Sequence, residues 1–151
     1  MAKILLVEDD STMAMMIRDI LESSGVHQVA SAGDGIAGLQ FLGVEPRPEI
    51  KAKLGEADWK FIKNGWTPDG AQIVLPELVL SDCMMPRMDG LMFVTEMSVN
   101  ERVQKIPVIV LTTKLKMEKP FLKIPNVAGF IAKPADPDRL LAVVDEVLAK
   151  N

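Results

Sequence analysis

Five residues able to handle phosphate or a hard metal ion each follow an apolar run in this 151-residue chain. Glu8 and Asp9 follow Lys3-Ile4-Leu5-Leu6-Val7, and Asp82 follows Leu78-Val79-Leu80-Ser81. Thr112 follows Val108-Ile109-Val110-Leu111, and Lys133 follows Gly129-Phe130-Ile131-Ala132. Three carboxylates gathered at one place repel, and the remedies are a raised pKa or a bound cation. A hard divalent ion such as Mg2+ is the better remedy, because it prefers oxygen ligands and binds through one or two carboxylates together with phosphate. In such a setting a carboxylate can attack phosphorus and become an aspartyl-phosphate, while the metal and an ammonium neutralise the transferred charge. Asp82, the metal and Lys133 fit those three roles.

This chemistry requires the five residues to meet. Continuous apolar runs of this length read as strands buried on both faces, the pattern of a parallel sheet covered by helices. Between them lie helical patterns: Met13, Ile17, Ile20 and Leu21 with Ser11 as N-cap and Gly25 as stop, then Ile36, Leu39 and Leu42 after Asp34-Gly35. Gln28-Val29-Ala30 is a short strand between these helices. Leu91, Phe93, Val94 and Met97 mark a further helix, and Asp136 with Pro137 starts a last one whose stripe is Leu140, Leu141, Val144, Val147 and Leu148. Pro120 and Pro125 break the place where another helix belongs. Alternating β and α elements imply right-handed crossovers and an α/β, doubly wound, five-stranded parallel sheet. The carboxyl ends of its strands form the edge where open α/β sheets bind ligands, so all five polar residues fall on that edge.

Residues 43–76 break the rhythm and read as an insertion between the second helix and the third strand. Asn64-Gly65 either turns a hairpin between short aromatic strands or caps a helix. Loops above ~12–15 residues need structure of their own or a job. Trp59 and Trp66 therefore either pin the segment to the body or dock a partner. Since the segment joins its neighbours at the edge opposite the carboxylates, its removal is expected to leave that edge undisturbed.

Composition excludes several classes. The length suits one domain spanning 1–151, and 48% hydrophobic residues suffice for a packed core. A net charge of −4 with scattered lysines argues against nucleic acid as a partner. One cysteine, Cys83, permits no internal disulfide. The first apolar run ends at Glu8-Asp9-Asp10, which fits neither a signal peptide nor a membrane span, so a cytoplasmic protein is expected.

Val7-Glu8-Asp9-Asp10, Ser81-Asp82 with Met85-Pro86-Arg87-Met88-Asp89-Gly90, Leu111-Thr112 and Lys133-Pro134 together resemble the receiver domain of bacterial response regulators, the CheY-like fold. The resemblance spans nearly the whole chain apart from the insertion. It implies a flavodoxin-like strand order of 2-1-3-4-5. It also implies Asp82 as phosphoacceptor, with Glu8, Asp9 and the backbone carbonyl of Met84 completing a Mg2+ site. Thr112 and Lys133 would contact the phosphoryl group, and Phe130 holds the aromatic position that rearranges with the threonine. The implied function is a phosphorylation-dependent switch in a two-component phosphorelay, not an enzyme beyond its own phosphoryl transfer. Its donor would be a sensor histidine kinase or phosphotransfer protein, and its output another protein, since the chain ends with the fifth helix of the receiver.

Two other classes compete. A small-molecule phosphatase using an aspartyl-phosphate would need a second acid two residues after the nucleophile, where this chain has Met84. A pseudo-receiver that binds partners without phosphorylation would not need the full set of acids and Lys133. Met84 and Lys114 hold positions that, in receivers, influence phosphate lifetime, and Thr113 is bulkier than the residue usual there. The prolines at 120 and 125 alter the helix that belongs to the family's output face. Asp10 is taken as the non-ligand acid of its trio and Asp89-Gly90 as a turn. His27 is assigned no role, and Met13, Met15 and Met16 are expected at the helix core and its boundary.

Overall fold

The computed structural model describes residues 2–67, 69–113 and 118–150. Five apolar runs form strands: β1 (Ala2–Val7), β2 (His27–Ala32), β3 (Leu78–Asp82), β4 (Val108–Thr112) and β5 (Val127–Ala132). All pair in parallel in the order β2-β1-β3-β4-β5. The strand order and the layered α/β architecture match the expectation. β2 and β5 are longer than the sequence pattern indicates.

The pleat sends alternate residues to two separate cores. Leu5, Val7, Val79, Val108 and Val110 face one cluster, and Ile4, Leu6, Leu78, Leu80, Ile109 and Leu111 face the other. The second is closed by α1 (Ser11–Glu22) and α6 (Pro137–Ala149) through Ile17, Leu21, Leu140, Val144 and Val147. The first is closed by α2 (Gly35–Leu42) and α5 (Gly90–Ser98). Those two helices approach closely because Gly38 lacks a side chain: a Cβ there would stand 2.7 Å from Cε1 of the fully buried Phe93.

Aspartates cap four helices. Asp34, Asp89 and Asp136 accept amides of α2, α5 and α6, each satisfying a donor that the first turn leaves free. At α1 the cap is Asp10 rather than Ser11. Its backbone is extended (φ −83°, ψ 111°), and its carboxylate accepts from the amides of Thr12 and Met13 at 2.9 and 3.0 Å. Met15 and Met16 are exposed on α1, not packed in the core, and Met13 is half-buried.

The 43–76 segment holds two one-turn helices, α3 (Pro48–Lys51) and α4 (Glu56–Trp59). Beyond them Asn64-Gly65 makes a tight turn with isolated bridges of Trp66 to Lys63 and Gln72, and among the described residues no full strands flank it. Aliphatic residues anchor the segment most deeply, with Trp59 packed against the same core. Val44, Ile50 and Ile62 are buried in the α2–α5 core, whereas Trp59 is half-buried and Trp66 exposed. Arg47 adds a polar anchor, donating its backbone amide and Nε to the buried Glu96 of α5 at 2.7 and 2.8 Å. The proline-rich stretch forms a 3₁₀ turn over Lys119–Lys123 in place of a full helix. Among the described residues, no helix is long and apolar enough to cross a membrane.

Candidate functional site

Register brings the polar residues together. Val7 lies beside Ser81, Asp82 beside Leu111 and Thr112 beside Ala132, so the strands stop nearly level. The ladder continues one residue further, with amides of Glu8, Cys83 and Lys133 donating to the carbonyls of Ala32, Leu111 and Thr112 at 3.0, 3.1 and 2.9 Å. Backbone pairing thus fixes the places where Glu8, Asp82, Thr112 and Lys133 leave the sheet.

At this edge one ammonium faces two carboxylates: Lys133 Nζ is 2.5 Å from Glu8 Oε1 and 2.9 Å from Asp82 Oδ2. The three side chains are largely withdrawn from water, at 10%, 1% and 9% exposure. Asp9, which is exposed, completes a trio with Glu8 and Asp82 whose oxygens lie within 4.8 Å of one another. Asp10 caps α1 and, among the described residues, stands outside that trio.

Burial pushes the Glu8 carboxyl up to about 7, with the neighbouring Asp82 carboxylate adding to the rise and Lys133 opposing it. Burial also acts against ionised Asp82. Hydrogen bonds from Glu8 and Lys133, and the amide of Cys83, outweigh it and hold Asp82 below its ordinary range. Lys133 is likewise opposed by burial yet raised by its two acid partners. Near neutral pH Glu8 is therefore the acid of the pair that takes up a proton, while Asp82 stays ionised beside the Lys133 ammonium. An all-oxygen set crowded enough to retain a proton fits a hard cation such as Mg2+, whose binding would take that proton's place.

Close approach shapes the loop after β3. Gly90 opens α5 and donates its amide to the Cys83 carbonyl at 3.0 Å. A Cβ on Gly90 would strike the backbone oxygen of Asp82, so Asp89-Gly90, which is the N-cap and first residue of α5 and not the expected turn, sets the loop's path. Met84 lies two residues beyond Asp82 with its side chain exposed. Burial, then the Asp82 charge, pushes the Cys83 thiol up, which keeps it protonated and inert. Thr112 is buried at the end of β4 and hydrogen-bonds the Cys83 thiol. Phe130 is half-buried one strand over, with its ring edge-on to Phe121 at 6.4 Å. Thr113 is exposed, and Lys114 lies outside the described residues. His27 is buried far from this edge, with Nε2 3.2 Å from Asp145 of α6.

Two features escaped the sequence. Arg87, in the loop after Asp82, donates Nε and Nη2 to both oxygens of Asp34 at 2.7 and 3.0 Å. Its Nη1 reaches Asp58 of α4 at 3.2 Å. The inserted segment joins the fold at the edge opposite the carboxylates, but its middle reaches the loop beside Asp82, contrary to expectation. Arg–Asp pairs 53 and 29 positions apart leave no local signal, although an arginine two residues before Asp89-Gly90 could have been examined as a loop tether.

The family model of the response regulator receiver domain matches residues 64–145, more than half of the chain. The chain belongs to this family. The matched stretch includes Asp82, Thr112 and Lys133, while Glu8 and Asp9 lie ahead of it, across the insertion. Among curated relatives, Protein PilH of Pseudomonas aeruginosa is 28% identical over 99% of both chains. Response regulator Rre1 of Synechocystis is 28% identical over 98% of this chain, which spans 52% of the Rre1 sequence. The signal receiver domain of a signal transduction histidine kinase from Syntrophus aciditrophicus superposes with a TM-score of 0.73 at 25% identity, covering 99% of this chain and 92% of that one. A role in two-component phosphorylation signalling follows from this kinship.

Proposed function

We propose that the chain is a receiver switch that takes a phosphoryl group on Asp82 and thereby changes its affinity for a protein partner. The observation that carries this reading is the ammonium of Lys133 placed between Glu8 and Asp82 at the carboxyl edge of a parallel sheet. One Asp82 oxygen attacks phosphorus while the bond to the donor's leaving group breaks, and that group departs with the electron pair. A histidine kinase or phosphotransfer protein is the natural donor for a receiver.

Glu8, Asp9, Asp82 and the Met84 carbonyl are the groups that would hold Mg2+, which when bound offsets charge on the phosphoryl oxygens. Lys133, already at Asp82, is placed to pair with a phosphoryl oxygen. The Thr112 hydroxyl, one strand away, would turn from Cys83 to a second oxygen. Phe130, half-buried at the margin of the core and edge-on to Phe121, is the aromatic group that would follow that movement. We assign no ester-hydrolysing activity, because the second residue after Asp82 is the thioether Met84 and supplies no general acid. A single domain acting in the cytoplasm, without nucleic acid or membrane as partner, completes the reading.

The test is incubation with Mg2+ and acetyl phosphate followed by intact mass. One added phosphoryl group, absent when Mg2+ is chelated, is the expected result. No mass gain with any small phosphodonor or purified kinase would overturn it in favour of a pseudo-receiver.

A further inference from the structure

Arg87 is the only described non-glycine residue with a positive φ, 62°. A residue with a side chain holds that conformation only where its surroundings impose it, and such positions cluster at sites whose geometry must be kept. The imposition here is visible. The Arg87 guanidinium forks onto both oxygens of Asp34 and spends its remaining arm on Asp58. Asp34 is itself fixed as the N-cap of α2, and the next residue, Gly35, lies so close to Met88 that a Cβ would stand 2.7 Å from Met88 Cγ. Met85 of the same loop packs on the buried cluster that Leu54 and Trp59 of the insertion also join. The loop carrying Met84 is thus held from one side by α2 and from another by α4.

We propose that Arg87 is a positioning residue for phosphorylation at Asp82, and that through Asp58 it couples the inserted segment to the state of the site. This rests on the reading of Asp82 as phosphoacceptor. Any movement of the loop between Asp82 and Gly90 on phosphorylation must pull on Asp58, and any displacement of α4 must shift the loop. Lysine cannot substitute for Arg87, because one ammonium is a point charge and cannot span a bidentate carboxylate and a second acid together. Trp59, adjacent to Asp58 on α4 and half-buried, is a built-in reporter of this coupling.

The experiment uses the full chain carrying Trp66→Phe, so that fluorescence reports Trp59 alone. Acetyl phosphate and Mg2+ are added, with initial phosphorylation rate, Trp59 emission and melting temperature measured on each variant. Arg87→Ala should slow phosphorylation about tenfold, since a misplaced site loop costs orientation at the reacting atoms. Arg87→Lys should stay slow. Asp58→Ala should slow it about threefold, the size expected for one part-exposed charge pair, and should abolish most of the Trp59 response. Asp58→Glu should restore both. A lowered melting temperature with wild-type rates in Arg87→Ala would reduce Arg87 to a brace and overturn the proposal. A Trp59 response unchanged in Asp58→Ala would overturn the coupling. Should the parent protein gain no phosphoryl mass, the phosphoacceptor reading fails by itself, and Trp59 emission during titration with Mg2+ alone still decides the coupling by the same comparison.

Discussion

Cys83 donates its backbone amide to Oδ1 of Asp82 at 2.7 Å, while Oδ2 of the same carboxylate faces Lys133 at 2.9 Å. One oxygen is thus anchored to the chain that follows it and the other meets the only ammonium at the site among the described residues. Asp82→Asn keeps an oxygen for the Cys83 amide, so the fold should survive, but an amide is not a comparable nucleophile. Intact mass after acetyl phosphate treatment should show no phosphoryl adduct. An adduct of wild-type yield would move the phosphoacceptor elsewhere.

Magnesium affinity should depend on pH through Glu8. Its carboxyl, raised by burial and by Asp82 to about 7, holds a proton that a metal ligand must give up. Protonated Glu8 accumulates below that value, so binding should weaken by about tenfold between pH 8 and pH 6. Calorimetric titration at the two pH values measures this. Glu8→Gln should flatten the dependence while lowering affinity throughout, and equal wild-type affinities at both pH values would contradict the proton on Glu8.

Gly90→Ala should destabilise the protein although it adds one methyl group. The new Cβ would collide with the Asp82 carbonyl, which is backbone and cannot swing aside. Overpacking of this kind costs ~2 kcal/mol, equivalent to a fall of roughly 4–8 °C in melting temperature for a chain of this size. Thermal unfolding followed by circular dichroism would show it. The displaced Asp82 should also slow phosphorylation, so the two losses should appear together.

Acid stability should draw on Arg87 and Asp34. Burial alone would raise the Asp34 carboxyl, but the Arg87 guanidinium and the Ala37 amide outweigh it and hold it below the ordinary aspartate value. A depressed carboxylate adds stability that is complete above its unfolded pKa and disappears as pH falls through the folded one. Removing Arg87 should therefore cost ~1 kcal/mol near neutrality, a figure discounted for the part-exposed guanidinium. The difference between wild type and Arg87→Ala should close in acid below the ordinary aspartate range. Urea unfolding across a pH series tests it, and a gap that persists undiminished in strong acid would assign the effect to packing.

The site was legible in the sequence because a strand buried on both faces announces its own end: Val7 to Glu8, Ser81 to Asp82, Leu111 to Thr112 and Ala132 to Lys133 are each a step from apolar or small to polar. Strand order followed from family resemblance, since periodicity carries no information about which strands are neighbours. The inserted segment was not legible. Its anchors, Val44, Ile50 and Ile62, are ordinary aliphatics in no regular period, and its polar contacts join residues as far apart as Arg47 and Glu96. The tryptophans drew attention by size, yet the aliphatics are buried more deeply. Ser11 and Asp10 are both good caps by type, and only the extended backbone at Asp10 decides between them.

Glu22 closes α1 and sends a carboxylate oxygen 3.1 Å from the amide of Val29, on the outermost strand of the sheet. Arg18, one turn back, holds the other oxygen at 3.0 Å. An uncovered amide on an edge strand invites a second chain to add itself to the sheet. The Glu22 carboxylate denies that invitation most firmly while it is charged, and the Val29 amide and Arg18 keep it charged to lower pH than an ordinary glutamate. Acidification that leaves the fold standing would still loosen this cover, so the edge strand is guarded less firmly at low pH even where the folding equilibrium is unchanged.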